Sequence, residues 1–252
     1  MGQERIRLTR RGPVESAPFE MLYEDADIIA VAKPAGVTVI PGRNERPADA
    51  LRGRLEAQRK EHLWVVHRID RDTSGVVLFA RNERAHRTLS MAFESREVSK
   101  TYLAWTRGRP APLAGTITLA LHTARKSRMR PAAPGEPDSL PSETDYRVLV
   151  ACETALGPVA CVEARPRTGR QHQLRVHLRA AGAPLLVDPL YGRSEDVTAG
   201  QLGEGSPALS RLTLHAAAIS FRSPACGDVT VTAPLPADLS ALAGWLGGTA
   251  AG

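Results

Sequence analysis

The chain has 252 residues, 33 Lys and Arg against 27 Asp and Glu, a net charge of +6, 42% hydrophobic residues and only 4% aromatic ones. That length fits one large domain or two small ones with a core that needs no covalent staples, and the apolar content excludes a chain disordered throughout. The longest uncharged stretch, 15 residues between Arg109 and Arg125, is shorter than the ~18 residues of a membrane span.

The first 18 residues carry Arg5, Arg7, Arg10 and Arg11 with no apolar run behind them. They read as a basic, flexible extension and not as a secretory leader, which points to the cytoplasm. Short apolar runs bounded by Gly and Pro then predict strands over 19–24, 28–33 and 37–41, with a turn at Pro34-Ala35-Gly36. Residues 47–62 read as a helix, with Ala50, Leu51 and Leu55 at helical spacing. Strands at 64–70 and 76–80 flank the polar loop Arg71-Asp72-Thr73-Ser74-Gly75, a helix follows at 83–96 and a strand at 100–106. Residues 131–141 and 197–207 read as loops, rich in Pro or Gly. Further strands are expected at 145–151, 159–164, 212–221 and 229–233, and helices at 169–181 and 237–246, before a Gly/Ala tail at 248–252. Strands and helices mixed without strict alternation favour an α+β layer fold over a doubly wound sheet.

Charge is unevenly placed. Residues 1–126 hold 22 basic and 15 acidic side chains, a net +7, whereas 127–252 hold 11 and 12. Within the second half, Arg165, Arg167, Arg170, Arg175 and Arg179 fall in fifteen residues without an acid, and Arg125, Lys126, Arg128 and Arg130 form another basic run. Such islands suit a polyanion as well as a solvated face. Cys152, Cys161 and Cys226 are odd in number, far apart and in no C-x-x-C pair. Three buried thiols are therefore expected, with neither a disulfide framework nor a metal site.

Two segments could carry chemistry. In His67-Arg68-Ile69-Asp70-Arg71-Asp72-Thr73-Ser74-Gly75 an apolar strand ends in an acid followed by small hydrogen-bonding residues. Taken alone this is more often an Asx-turn or loop cap than a site. It lacks the Asp directly after His-Arg and the downstream Asn of a protein-kinase catalytic loop. In Arg167-Thr168-Gly169-Arg170-Gln171-His172-Gln173-Leu174-Arg175-Val176-His177-Leu178, a helix from Gly169 would put His172, Arg175 and Arg179 on one polar stripe. His172 and His177 are five apart and diverge, unlike a zinc-binding i, i+4 pair. Ser99-Lys100-Thr101-Tyr102 and Lys33-Pro34-Ala35-Gly36 are, by themselves, a strand and a turn.

Together and in this order, these segments resemble the RluA-type family of pseudouridine synthases. The 67–75 segment is similar to its catalytic motif, with Ile69 where Leu is usual, Lys100-Thr101-Tyr102 to its Lys-x-Tyr segment, and 167–178 to its arginine-rich motif. Lys33-Pro34-Ala35-Gly36, Asp188-Pro189-Leu190-Tyr191-Gly192 and Leu214-His215-Ala216 add agreement, while Val187 stands where Gly is usual. The resemblance spans 19–234 and implies a largely antiparallel central sheet with flanking helices and a catalytic cleft, in a single catalytic domain over 19–247. Many relatives begin with an RNA-binding S4 module, for which the eighteen residues before Phe19 are too few.

The implied reaction breaks the N1–C1′ bond of a uridine, turns the base, joins C5 to C1′ and removes the C5 proton. One ionised carboxylate beside sugar and base can start it, by attack on the uracil or by taking a ribose proton. The resemblance gives that role to Asp70, with Arg175 as the guanidinium that keeps it ionised. It implies that Tyr102 stacks on the extruded uracil, and that Arg68 fills the space the base leaves. His67, Arg167, Arg170 and His172 are weaker RNA-binding candidates, compatible with phosphate contacts or with structural bonds. The expected enzyme is a monomeric isomerase of rRNA or tRNA without cofactor or metal. The competing possibilities are a non-catalytic RNA-binding protein and a nucleosidase, which would need a second carboxylate; Asp72, two positions along, is expected to point away.

Overall fold

The computed structural model describes residues 19–125, 128–192 and 196–250. The predicted extension over 1–18, Lys126 of the second basic run and the last two residues lie outside these. The chain opens with an antiparallel pair, β1 (Met21–Glu24) and β2 (Ile28–Lys33), then α1 (Leu51–Arg59), β3 (Trp64–Val65), β4 (Ser74–Ala80), α2 (Glu83–Glu94) and β5 (Ser99–Arg107). The short strands β6 (Ala114–Thr118), β7 (Leu121–Ala124) and β8 (Arg128–Pro131) precede the long hairpin β9 (Glu143–Thr154) and β10 (Gly157–Pro166). Then come α3 (Gln173–Ala180), β11 (Leu214–Ser223), β12 (Gly227–Thr232) and α4 (Ala237–Ala250). Among the described residues no helix is long and apolar enough to cross a membrane.

Ten strands form one mixed sheet in the order β1-β2-β4-β11-β5-β10-β9-β6, with β3 also paired to β4 and β12 to β11; β7 and β8 pair with each other. Every pairing is antiparallel except β4 with β11, where His215 faces Ser74 and Ala216 faces Gly75. This α+β arrangement is the expected one. Ile28, Val31, Val77, Phe79, Leu51 and Leu89 pack one core between β2, β4, α1 and α2, and Trp105, Val159, Leu239 and Leu242 pack a second under α4.

Several predicted boundaries change, each for a local reason. Residues 37–41 form no strand, because the Thr38 and Val39 carbonyls accept from the Leu51 and Arg52 amides at the start of α1. The helix expected over 47–62 is a 3-10 turn, Pro47–Asp49, and then α1, separated by an extended Ala50 and ended by left-handed Lys60. The strand expected over 64–70 stops at Val65, and the Leu78 N–H that a longer strand would bond goes to Nε2 of His67 at 2.9 Å. The third helix begins at Gln173, not Gly169, since the Gln173 carboxamide accepts from the Arg170 amide and the Thr168 hydroxyl and winds 168–172 into a tight turn. Strands β6, β7 and β8 were not foreseen, being short and without apolar alternation. The three thiols are not all buried: Cys161 is, Cys152 is half-buried, and Cys226 is exposed in the turn between β11 and β12.

Gly75 marks the closest approach in the sheet. Its φ is +120°, and a Cβ there would sit 2.2 Å from the Ala216 carbonyl oxygen. Only glycine lets β4 and β11 run parallel at this point, directly after the Asp70 loop. Gly75→Ala is expected to cost several kcal/mol, of the order of the larger single-residue losses, read as a collapse of the folded fraction in thermal melts; a melt within a few degrees of wild type would contradict this packing.

Candidate active site

The 70–73 loop is held from below by a buried lysine. Lys33, at the end of β2 and opposite Gly75 in register, donates from Nζ to the carbonyls of Pro34 at 2.9 Å, Val37 at 2.7 Å and Arg71 at 2.8 Å. Burial pulls its ammonium down to about 7, yet three carbonyls match its three N–H groups. The Gly36 amide also bonds the Arg71 carbonyl, and the Arg71 guanidinium returns a bond to the Gly36 carbonyl. Asp70 is thereby presented at the mouth of a cavity of about 570 Å³.

Beside Asp70 stands Arg175, on the first turn of α3 and only 3% exposed. Its Nε and Nη2 bind the Asp188 carboxylate in bidentate fashion at 2.9 and 2.6 Å, and its remaining Nη1 reaches Oδ2 of Asp70 at 3.3 Å. Asp188 is itself fixed by the Leu190 and Tyr191 amides. The Tyr191 ring lies under the guanidinium, 5.0 Å from its carbon to the ring centroid. Burial opposes the charge on Arg175, and the two carboxylates outweigh it, so the guanidinium is held more firmly ionised than usual.

All eight side chains proposed from the sequence line this one cavity: His67, Arg68, Asp70, Tyr102, Arg167, Arg170, His172 and Arg175. Tyr102, on β5, is pushed up in pKa by burial and by the Asp70 charge, which keeps it a neutral phenol. Arg68 is exposed at the rim. His67 takes the structural option: its ring stacks 4.9 Å from Phe93, its Nε2 accepts from Leu78, and enclosure pushes its pKa down to about 3. Arg167 is engaged by Asp145 at 2.7 Å and Glu143 at 3.7 Å, while the Arg170 guanidinium donates to the Pro141 carbonyl and has no acid beside it among the described residues. The polar stripe expected on α3 is therefore not solvated: Arg179 is exposed but Arg175 is buried. Asp72 does not line the cavity; its charge faces Lys33 and Arg211.

The residues missing from the sequence-derived set are Asp188, Tyr191 and Lys33. Each lies in a segment singled out above for resemblance alone.

The family described as RNA pseudouridylate synthase matches residues 27–180. The dual-specificity RNA pseudouridine synthase RluA of Escherichia coli is 35% identical over 226 residues, covering 90% of this chain and 96% of the relative. The chain belongs to the RluA-type family of RNA pseudouridine synthases. It is also 34% identical to ribosomal large subunit pseudouridine synthase C of Vibrio parahaemolyticus, over 92% of this chain and 70% of that one. Among solved structures, human RNA pseudouridylate synthase domain containing 1 superposes with a TM-score of 0.69 at 28% identity, covering 92% of this chain and 90% of the other. The chain is thus an isomerase of this family. The departure from the family pattern at Val187 is absorbed in the core, where the side chain packs with Trp105 and Leu186.

The buried imidazoles make stability acid-sensitive. Burial lowers the pKa of His67, His172, His177 and His215, so the unfolded chain binds protons that the folded one refuses. His67 contributes stability that is present above its unfolded value of about 6.5 and lost as pH falls toward its folded value of about 3. Denaturant unfolding at pH 7, 5.5 and 4.5 should show falling stability, with a shallower slope in His67→Gln, whose amide oxygen can still accept from Leu78. An unchanged slope in that variant would contradict the assignment.

Proposed function

We propose that the protein isomerises uridines of rRNA or tRNA to pseudouridine, with Asp70 as the catalytic carboxylate acting on one extruded base at a time. The observation that carries this is the contact of Arg175 Nη1 with Oδ2 of Asp70 at 3.3 Å, at the wall of a cavity of about 570 Å³. That volume lies within the range of small-ligand sites. A nearly buried guanidinium stands beside a carboxylate that is 24% exposed and so open to a bound base. In this reading Tyr102, which lines the same cavity, stacks on the flipped uracil, and the exposed Arg68 fills the vacated stack.

The reaction moves C1′ from N1 to C5 and exchanges a C5 proton for one on N1, so no atom or electron need be supplied from outside. What the protein must provide is extrusion, orientation and one carboxylate beside a developing positive charge on the sugar. Phosphate contacts fall to Arg170 and Arg68 more than to Arg167, whose charge Asp145 and Glu143 already offset. The names of the relatives, one dual-specific and one acting on the large ribosomal subunit, favour a structured RNA as substrate. In this proposal residues 19–247 are the catalytic unit, working as a monomer in the cytoplasm.

RNA tritiated at uracil C5 tests the proposal. The wild-type protein should release tritium without loss of base or chain scission; RNA binding with no release would instead support a non-catalytic binder. Asp70→Asn should lower release by more than about a thousandfold and leave RNA binding within a few-fold. Retained turnover in that variant would remove Asp70 from the chemistry. Arg175→Ala leaves Asp188 buried without its partner, so it should both slow release by at least about a hundredfold and cost ~3–5 kcal/mol of stability; normal turnover would exclude it from the site.

A further inference from the structure

His172 holds a backbone conformation uncommon outside glycine. Its φ is +53°, in the left-handed region, and it stands at the N-cap of α3 without using its side chain to cap the helix. Such a conformation persists where the surrounding structure enforces it. Here it turns the imidazole into the cavity, against Tyr191.

The Tyr191 hydroxyl accepts from the Met129 amide at 2.7 Å and lies 2.7 Å from Nδ1 of His172. A phenol carries one proton, and among the described residues this one has no other acceptor, so it points at Nδ1. A neutral imidazole that accepts at Nδ1 bears its hydrogen on Nε2. Burial favours the neutral ring here, against the pull of Asp70. The Nε2–H group then faces Oδ2 of Asp70 at 3.9 Å, the same oxygen that Arg175 touches at 3.3 Å. Oδ1 of Asp70 has no partner among the described residues. The other ionisable groups around this carboxylate are Arg68 on its own loop, Lys33 of β2, Tyr102 of β5, and Asp188 and Tyr191 beyond α3.

We propose that His172 is a positioning residue for Asp70: its Nε2–H, aimed by Tyr191, closes onto Oδ2 beside Arg175 when RNA fills the cavity, leaving Oδ1 as the reacting oxygen. The inference rests on Asp70 being the catalytic carboxylate. It gives His172 a role other than a phosphate contact, and Tyr191 the task of fixing a tautomer.

Single-turnover tritium release between pH 5 and 9, from transcripts of large-subunit rRNA and of tRNA labelled at uracil C5, compares wild type with Tyr191→Phe, His172→Ala and His172→Gln. Tyr191→Phe keeps the ring and removes the hydroxyl, both the proton that orients the imidazole and the acceptor of the Met129 amide. It should slow release at saturating RNA by roughly tenfold, as for one hydrogen bond to an ionised group, with half-saturation by RNA little changed and the acid limb of the profile moved to higher pH. His172→Ala should lose at least as much, and His172→Gln, whose amide N–H reaches the Nε2 position, should recover to within a few-fold of wild type. Wild-type rates at saturating RNA in Tyr191→Phe overturn the inference, whether or not the His172 variants fold. So does a loss confined to RNA affinity with a smaller salt dependence, the mark of a phosphate contact, or a Gln variant no better than Ala. Absence of release by the wild type itself would strike the proposed function instead.

Discussion

Everything around the cavity depends on one buried guanidinium shared between two carboxylates. Removing a charge from water costs several kcal/mol unless it is paired and hydrogen-bonded, and Arg175 meets that demand through the bidentate contact with Asp188. Asp188 can serve because the Leu190 and Tyr191 amides hold it in turn. Of its three nitrogens only Nη1 is left, and it turns to Asp70, 105 residues away in sequence. The group of three carries one negative charge in excess, and that charge faces the cavity on the partly exposed Asp70. The proposed reactive carboxylate is thus paired with a cation that stays charged at every working pH.

The second constraint is backbone geometry. Lys33 ties the carbonyls of Pro34, Val37 and Arg71 to one ammonium, so the turn after β2 and the loop after Asp70 are bound to each other. Gly75 then lets β4 run against β11 where any side chain would collide with Ala216. Asp70 is held on the loop that leads into β4 and Arg175 on α3, which is how a scaffold keeps reacting groups in register before substrate arrives.

The sequence carried the chemistry more clearly than the local structure. Asp70, Arg175 and Tyr102 sit in motifs whose order singles out one family, and all line the same cavity. The start of α3 was misplaced because helical periodicity cannot reveal that the Gln173 side chain closes a turn before the helix begins. Strands β6 to β8 gave no alternating apolar signal, since much of their surface is exposed. The arginines at 165 and 167 looked like free cations in a stretch without acids, yet β9 brings Asp145 and Glu143 alongside Arg167, and Glu163 on β10 itself pairs with Arg165. Asp188 and Tyr191 were visible only as a matched pentapeptide; their task appears once chain folding sets them against Arg175 and His172.

A crystal structure of the protein bound to its product RNA tests the central claim most directly. Catalysis by Asp70 on an extruded base requires the pseudouridine ring inside the cavity, stacked on Tyr102, with the Asp70 carboxylate against the nucleoside and Arg175 still bridging Asp188 and Asp70. A product base left stacked in the RNA, or seated away from Asp70, would contradict it.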